Sequence, residues 1–88
     1  MISFWAIWMT KLSAIEVWLT ERTGMSGDDL RSRQGLFTSG DLDSFDLVEL
    51  VALLETSLGR RIPAIDLVPR NFDSLEKIEA YCAKARGQ

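Results

Sequence analysis

The chain contains no histidine and a single thiol, Cys82. Its chemistry therefore has to rest on hydroxyls and carboxylates, because the commonest general base and zinc ligand is missing. The densest collection of such groups is Asp41-Leu42-Asp43-Ser44-Phe45-Asp46-Leu47-Val48-Glu49-Leu50, where a turn of small and acidic residues leads into an apolar-periodic helix. Ser44 stands at the junction. A serine there can cap the helix through its side-chain oxygen, or it can be held outward as a hydroxyl for another protein to modify. A lone serine hydroxyl is a poor nucleophile, and no neighbouring residue type here can activate it, so chemistry at Ser44 would need a base from elsewhere.

A second Asp-Ser pair, Asp73-Ser74-Leu75, precedes the last helical stretch. Glu76 lies three residues after Asp73, the spacing of a capping box, so this pair reads as a helix start. The acidic run Asp41, Asp43, Asp46 has the look of a calcium loop, but such a loop needs Gly at its sixth position and Glu at its twelfth. Counted from Asp41, those positions hold Asp46 and Ala52, and no metal site is predicted. Cys82 has no partner for an internal disulfide, which fits a reducing, cytoplasmic setting. It reads as a small apolar residue of a terminal helix.

The elements that must position Ser44 follow from periodicity. Phe4, Trp8, Leu12, Ile15 and Leu19 form one stripe at helical spacing, flanked by Trp5 and Trp18, and predict a first helix running to about Arg22, stopped by Thr23-Gly24. The apolar start, Met1 to Met9, reads as the first turn of this helix or as an extension ahead of an internal start at Met9; it is too short to span a membrane and lacks a positive leader region. Met25 to Asp43 predicts an ordered crossing loop, with Asp28-Asp29-Leu30 able to form a helical turn and Leu30, Leu36 and Phe37 as anchors onto a core.

A second helix is predicted from Ser44 to about Leu58, stopped by Gly59. Steps of about 100° per residue gather Leu47, Leu50, Val51, Leu54 and Leu58 on one face, the core face. Phe45, Val48, Glu49, Ala52 and Thr56 fall opposite, with Asp46 and Leu53 beside them. Apolar side chains mixed with acids where water should be suggest a partner surface. Ile62-Pro63 and Pro69 limit Ala64 to Val68 to a short third helix. Leu75, Ile78, Tyr81 and Cys82 give the inward stripe of the last. No strand pattern or repeat occurs, and the fold expected is all-α: residues 1–88 as one small bundle of three main helices plus one short helix.

Composition sets the function classes. Apolar residues at 47% and charged residues at 26% describe a folding globular chain with one modest core, too small to enclose a multi-residue catalytic cleft. Function should be worn on the surface. Thirteen acids against ten bases give a net charge of -3, with no dense Lys/Arg cluster for nucleic acid. No basic residue falls between Arg33 and Arg60, while Asp41, Asp43, Asp46, Glu49 and Glu55 do. That block is expected to attract basic partner surfaces.

The run Asp43-Ser44-Phe45-Asp46-Leu47-Val48-Glu49-Leu50 resembles the phosphopantetheine attachment motif of acyl and peptidyl carrier proteins, in which Asp-Ser-Leu leads a Val-Glu-Leu-like helix. The resemblance extends through Ile62-Pro63 and Asn71-Phe72-Asp73-Ser74-Leu75, covering roughly residues 36–81. It implies a non-catalytic monomeric carrier in which Ser44 is esterified with 4'-phosphopantetheine from coenzyme A by a phosphopantetheinyl transferase, and Asp43 helps present the loop. It further implies that Phe45, Asp46, Val48, Glu49 and Ala52 dock partner enzymes: an acyl- or aminoacyl-loading enzyme, then condensing or transfer enzymes of a fatty-acid, polyketide or nonribosomal pathway. Two positions depart from the pattern. Asp41 replaces the usual glycine, with Gly40 one place earlier, and Phe45 replaces leucine. Arg60, Arg61 and Arg70 stand where fatty-acid carriers tend to be acidic, which leans toward a specialised pathway. The competing expectation is an unmodified helical adaptor that binds one partner through Phe45, Val48 and Ala52.

Overall fold

The computed structural model describes the backbone of residues 4–86 and the side chains of residues 14–86. Helix α1 spans Phe4–Thr23, α2 Gly27–Ser32, α3 Ser44–Leu58 and α4 Leu75–Arg86. Two 3-10 turns, Ala64–Asp66 and Pro69–Phe72, connect α3 to α4. No strand occurs among the described residues. The all-α bundle predicted from periodicity is therefore observed, with one rearrangement. The short α-helix lies inside the first connection, as α2, and the third helix expected at Ala64 to Val68 is a 3-10 turn. Pro69 explains this: it pushes Val68 to an extended conformation (φ -126°, ψ 141°). Too few residues then remain for an α-helix, and the i+3 bond from Leu67 N to Ala64 O closes a tighter turn.

Helices α1 and α4 each pack against both α2 and α3. Between them lies the core: Ile15 and Leu19 from α1, Leu30 from α2, Leu50 and Leu54 from α3, Leu75, Ile78 and Cys82 from α4. Leu36 and Leu42 enter it from the first loop, and Ile62 and Phe72 from the second. Each fully buried side chain of this size stabilises the fold by about 1.5–3 kcal/mol. Leu47, Val51 and Leu58 pack on this core from the predicted face of α3, and Leu53, expected on the outer side, joins them. Phe4, Trp5, Trp8 and Leu12, from the expected stripe and its flank, lie outside the described side chains, but the backbone of α1 is already helical at Phe4.

Polar staples hold the elements in register. Arg31 of α2 reaches Glu16 of α1 (3.7 Å) and Glu79 of α4 (2.7 Å). On α4, Tyr81 donates to Asp66 Oδ2 at 2.8 Å and packs edge-on against Phe72, with ring centroids 5.1 Å apart. Burial, reinforced by the Asp66 carboxylate, pushes the Tyr81 phenol up to about 12.

The start of α4 corrects the sequence reading. Ser74, not Asp73, is the capping residue: its Oγ accepts from Lys77 N at 3.1 Å, and its carbonyl accepts from Ile78 N. Asp73 turns away toward the loop before α3. The capping-box spacing of Asp73 and Glu76 is present in the sequence, but the loop's own donors compete for the Asp73 carboxylate and take it.

Gly35 opens that loop at φ +71°. A Cβ there would lie 2.7 Å from Thr38 Oγ1. Gly35→Ala therefore adds a left-handed penalty to a clash, and a loss of about 1–3 kcal/mol is expected in urea unfolding, against near-neutrality for Thr56→Ala on the exposed face of α3.

Candidate functional site: the loop and first turn of α3

Asp43 caps α3. Its backbone is extended (φ -116°, ψ -174°), its Oδ1 accepts from Asp46 N at 2.9 Å, and Asp46 Oδ2 returns the bond to Asp43 N at 2.9 Å. This reciprocal capping box satisfies two of the donors that a helix N-terminus leaves open. Ser44 is consequently the first helical residue and not the cap. It is exposed, and among the described residues no hydrogen bond engages its hydroxyl. The capping role that competed for Ser44 is filled by its neighbour.

The loop leading to Ser44 has no regular structure between Arg33 and Asp43, yet it is tied at several points. Leu36 N donates to Asp73 O at 2.7 Å, and Leu42 N to Leu36 O at 2.9 Å. The Asp73 carboxylate accepts from Phe37 N (2.7 Å), Thr38 N (3.2 Å) and Thr38 Oγ1 (3.1 Å). Asp73 is buried. Burial by itself raises its pKa, but the hydrogen bonds from Phe37 and Thr38 outweigh that and hold the carboxyl below its ordinary range. Sequence reading missed this residue as a loop anchor. Its local signal, the capping-box spacing to Glu76, points to the helix that follows and not to the loop.

The acidic block behaves differently from the expectation. Arg22, near the end of α1, pairs with Asp46 at 3.3 Å and with Glu49, and stacks over Trp18. Arg33 pairs with Asp41 at 2.8 Å. That bond, with a second from Ser39, lowers the Asp41 pKa. Glu55 Oε2 accepts from Ile62 N at 2.8 Å. Most carboxylates of the block are thus answered within the molecule, by arginines distant in sequence. Asp46 is corrected further. Expected among the exposed docking residues, it is 8% exposed, because the capping box and Arg22 draw it inward.

The rest of the outer face is as predicted. Phe45 is 80% and Val48 68% exposed, while Glu49, Ala52 and Thr56 also face solvent. Ile65 and Leu67 of the first 3-10 turn are exposed too. Ser74 is 2% exposed and occupied as a cap, so its hydroxyl is closed to a modifying enzyme. Cys82 is fully buried, and burial lifts its thiol to about 11. Little of it is thiolate at pH 8. Cys82 is expected to ignore a disulfide reagent in the native protein and to react fully in denaturant, a difference that absorbance titration reads directly.

No helix among the described residues is long and apolar enough to cross a membrane. No known family, curated protein or solved structure matches the chain.

Proposed function

We propose that the protein is a carrier, modified on Ser44 with 4'-phosphopantetheine and handing thioester-bound acyl, aminoacyl or peptidyl groups between enzymes. The observation that carries this reading is the division of labour at the start of α3: Asp43 and Asp46 complete the cap, leaving the exposed Ser44 hydroxyl without a partner among the described residues. That is the arrangement a modification site needs, since its oxygen can be taken without unfolding the helix.

The group fits the residues present. The side chain is open to solvent, and a phosphodiester on it would stand at a helix N-terminus, where the backbone dipole favours an anion. When bound, the group supplies the thiol that holds the cargo. Attachment forms a bond from Ser44 Oγ to the phosphorus of coenzyme A's diphosphate and releases adenosine 3',5'-bisphosphate. The serine proton leaves to a base on the transferase, because no imidazole exists in the chain and the nearest carboxylates, Asp43 and Asp46, are committed to backbone amides. The protein positions the nucleophile and its partner activates it.

Phe45, Val48, Glu49 and Ala52 form the docking face in this reading, without Asp46. With much of the acidic block internally paired, apolar contact at Phe45 and Val48 carries more of the association than charge steering. Incubation with coenzyme A, magnesium and a broad-specificity phosphopantetheinyl transferase should add the mass of one phosphopantetheine to the intact chain. An unchanged mass with a panel of such transferases would leave the unmodified adaptor, docking through the same face, as the better account.

A further inference from the structure

The cations are distributed differently from the acids. In the described residues Arg22, Arg31 and Arg33 are all spent on carboxylates. Among the described residues Arg70, Lys77 and Lys84 meet no ion-pair partner, and they line one groove between the second 3-10 turn and α4, with Asn71, Ala80 and Tyr81. Around α4, steps of about 100° place Lys77, Ala80, Tyr81 and Lys84 on one side. Glu79 falls on the far side, held by Arg31, and Glu76 stands at the groove's edge, about 40° round the helix from Ala80. Two further carboxylates lie near the groove, and both are engaged. Asp66, in the adjoining hollow, accepts from Tyr81, and Asp73, close enough to feel Lys77, is held by Phe37 and Thr38.

A chain of net charge -3 thus carries an open groove lined by three cations and no carboxylate. We infer that this groove docks an acidic, extended segment of a partner protein, with Arg70, Lys77 and Lys84 meeting its carboxylates. Three cations are too few for a nucleic-acid footprint, whose affinity grows with each phosphate neutralised. The groove presents Ala80 and no large protruding apolar side chain, so it lacks the wedge that an anionic bilayer surface binder buries. The groove is open to solvent, whereas a small ligand needs a site that encloses most of its surface. The inference is independent of modification at Ser44.

Fluorescence anisotropy of a labelled octaglutamate peptide, titrated with the full chain at low salt, tests it. Binding is expected, weakening with added salt, and K77E/K84E should weaken it about tenfold or more, since the variant removes two of the three groove cations and adds repulsion. K77E and R61E change net charge equally; Arg61 is exposed and outside the groove, so R61E should leave most of the affinity that K77E loses, with circular dichroism confirming that both are folded. No binding at low salt, equal losses in K77E and R61E, or binding to phosphatidylglycerol vesicles at concentrations where the peptide is not bound would each overturn the inference.

Discussion

Ser44→Ala is expected to abolish the mass gain on incubation with coenzyme A, magnesium and a transferase, and to leave thermal stability almost unchanged. Both halves come from the same geometry. Ser44 is exposed and makes no cap bond, so removing its hydroxyl should cost less than about 0.5 kcal/mol, the usual range for an uninvolved surface residue. If Ser44 were the cap, the loss would be about 0.5–2 kcal/mol. Ser74→Ala should show the converse pattern. It loses the bond from Lys77 N and about 1 kcal/mol of stability, yet retains full modification. A mass gain that survives Ser44→Ala and vanishes in Ser74→Ala would move the site to the second pair. Intact-mass spectrometry and a melting curve on the same samples read both effects.

Asp73→Ala should produce the largest stability loss of any single polar substitution outside the core. It strands the amides of Phe37 and Thr38 and the Thr38 hydroxyl. At the usual cost of losing hydrogen bonds to a charged acceptor the loss is about 2–4 kcal/mol, or a drop in Tm of roughly 10–25 °C for a domain of this size. Asp73→Asn keeps one acceptor oxygen and should lose about half as much. The pH dependence has a definite sign. The folded-state pKa of Asp73 is lowered, so its contribution is fully present above the unfolded carboxylate pKa of about 3.9 and disappears as pH falls through the lower folded value. Wild-type stability should therefore fall on acidification below about pH 4, and Asp73→Ala should fall less steeply. Asp41, also lowered, by Arg33 and then Ser39, leaves some slope in the variant. An acid limb identical in the two proteins would remove Asp73 as the anchor.

Ser44 itself, the bounds of α3 and the core face of that helix were legible because their signals are local. Asp43-Ser44 and Gly59 punctuate the helix, and Gly59 takes the left-handed conformation (φ 69°) that ends it. The misreadings share a cause. Asp46 was placed outward by its angle on the helix, but a short acid three residues after the cap can reach back to a backbone amide, and Arg22 completes its burial. Asp73 was assigned to the helix that follows it, although its partners lie more than thirty residues earlier in the chain. Periodicity ranks faces, and it cannot see which of two competing donors a carboxylate will take. The same blindness hid the pairing of the acidic block, since Arg22 and Glu49 are separated by 27 positions.

The ties that close the loop before α3 also decide when its conformational entropy is lost. Fixing each backbone residue costs about 1–2 kcal/mol, and a floppy loop would charge that cost to every encounter with an enzyme. Here Leu36, Phe37, Thr38 and Leu42 are already fixed by Asp73 and by one another. The ordering is completed once, at folding. On the carrier reading proposed above, a partner approaching Ser44 would meet a hydroxyl whose backbone is preorganised, so contacts could stay small and the two proteins could part quickly.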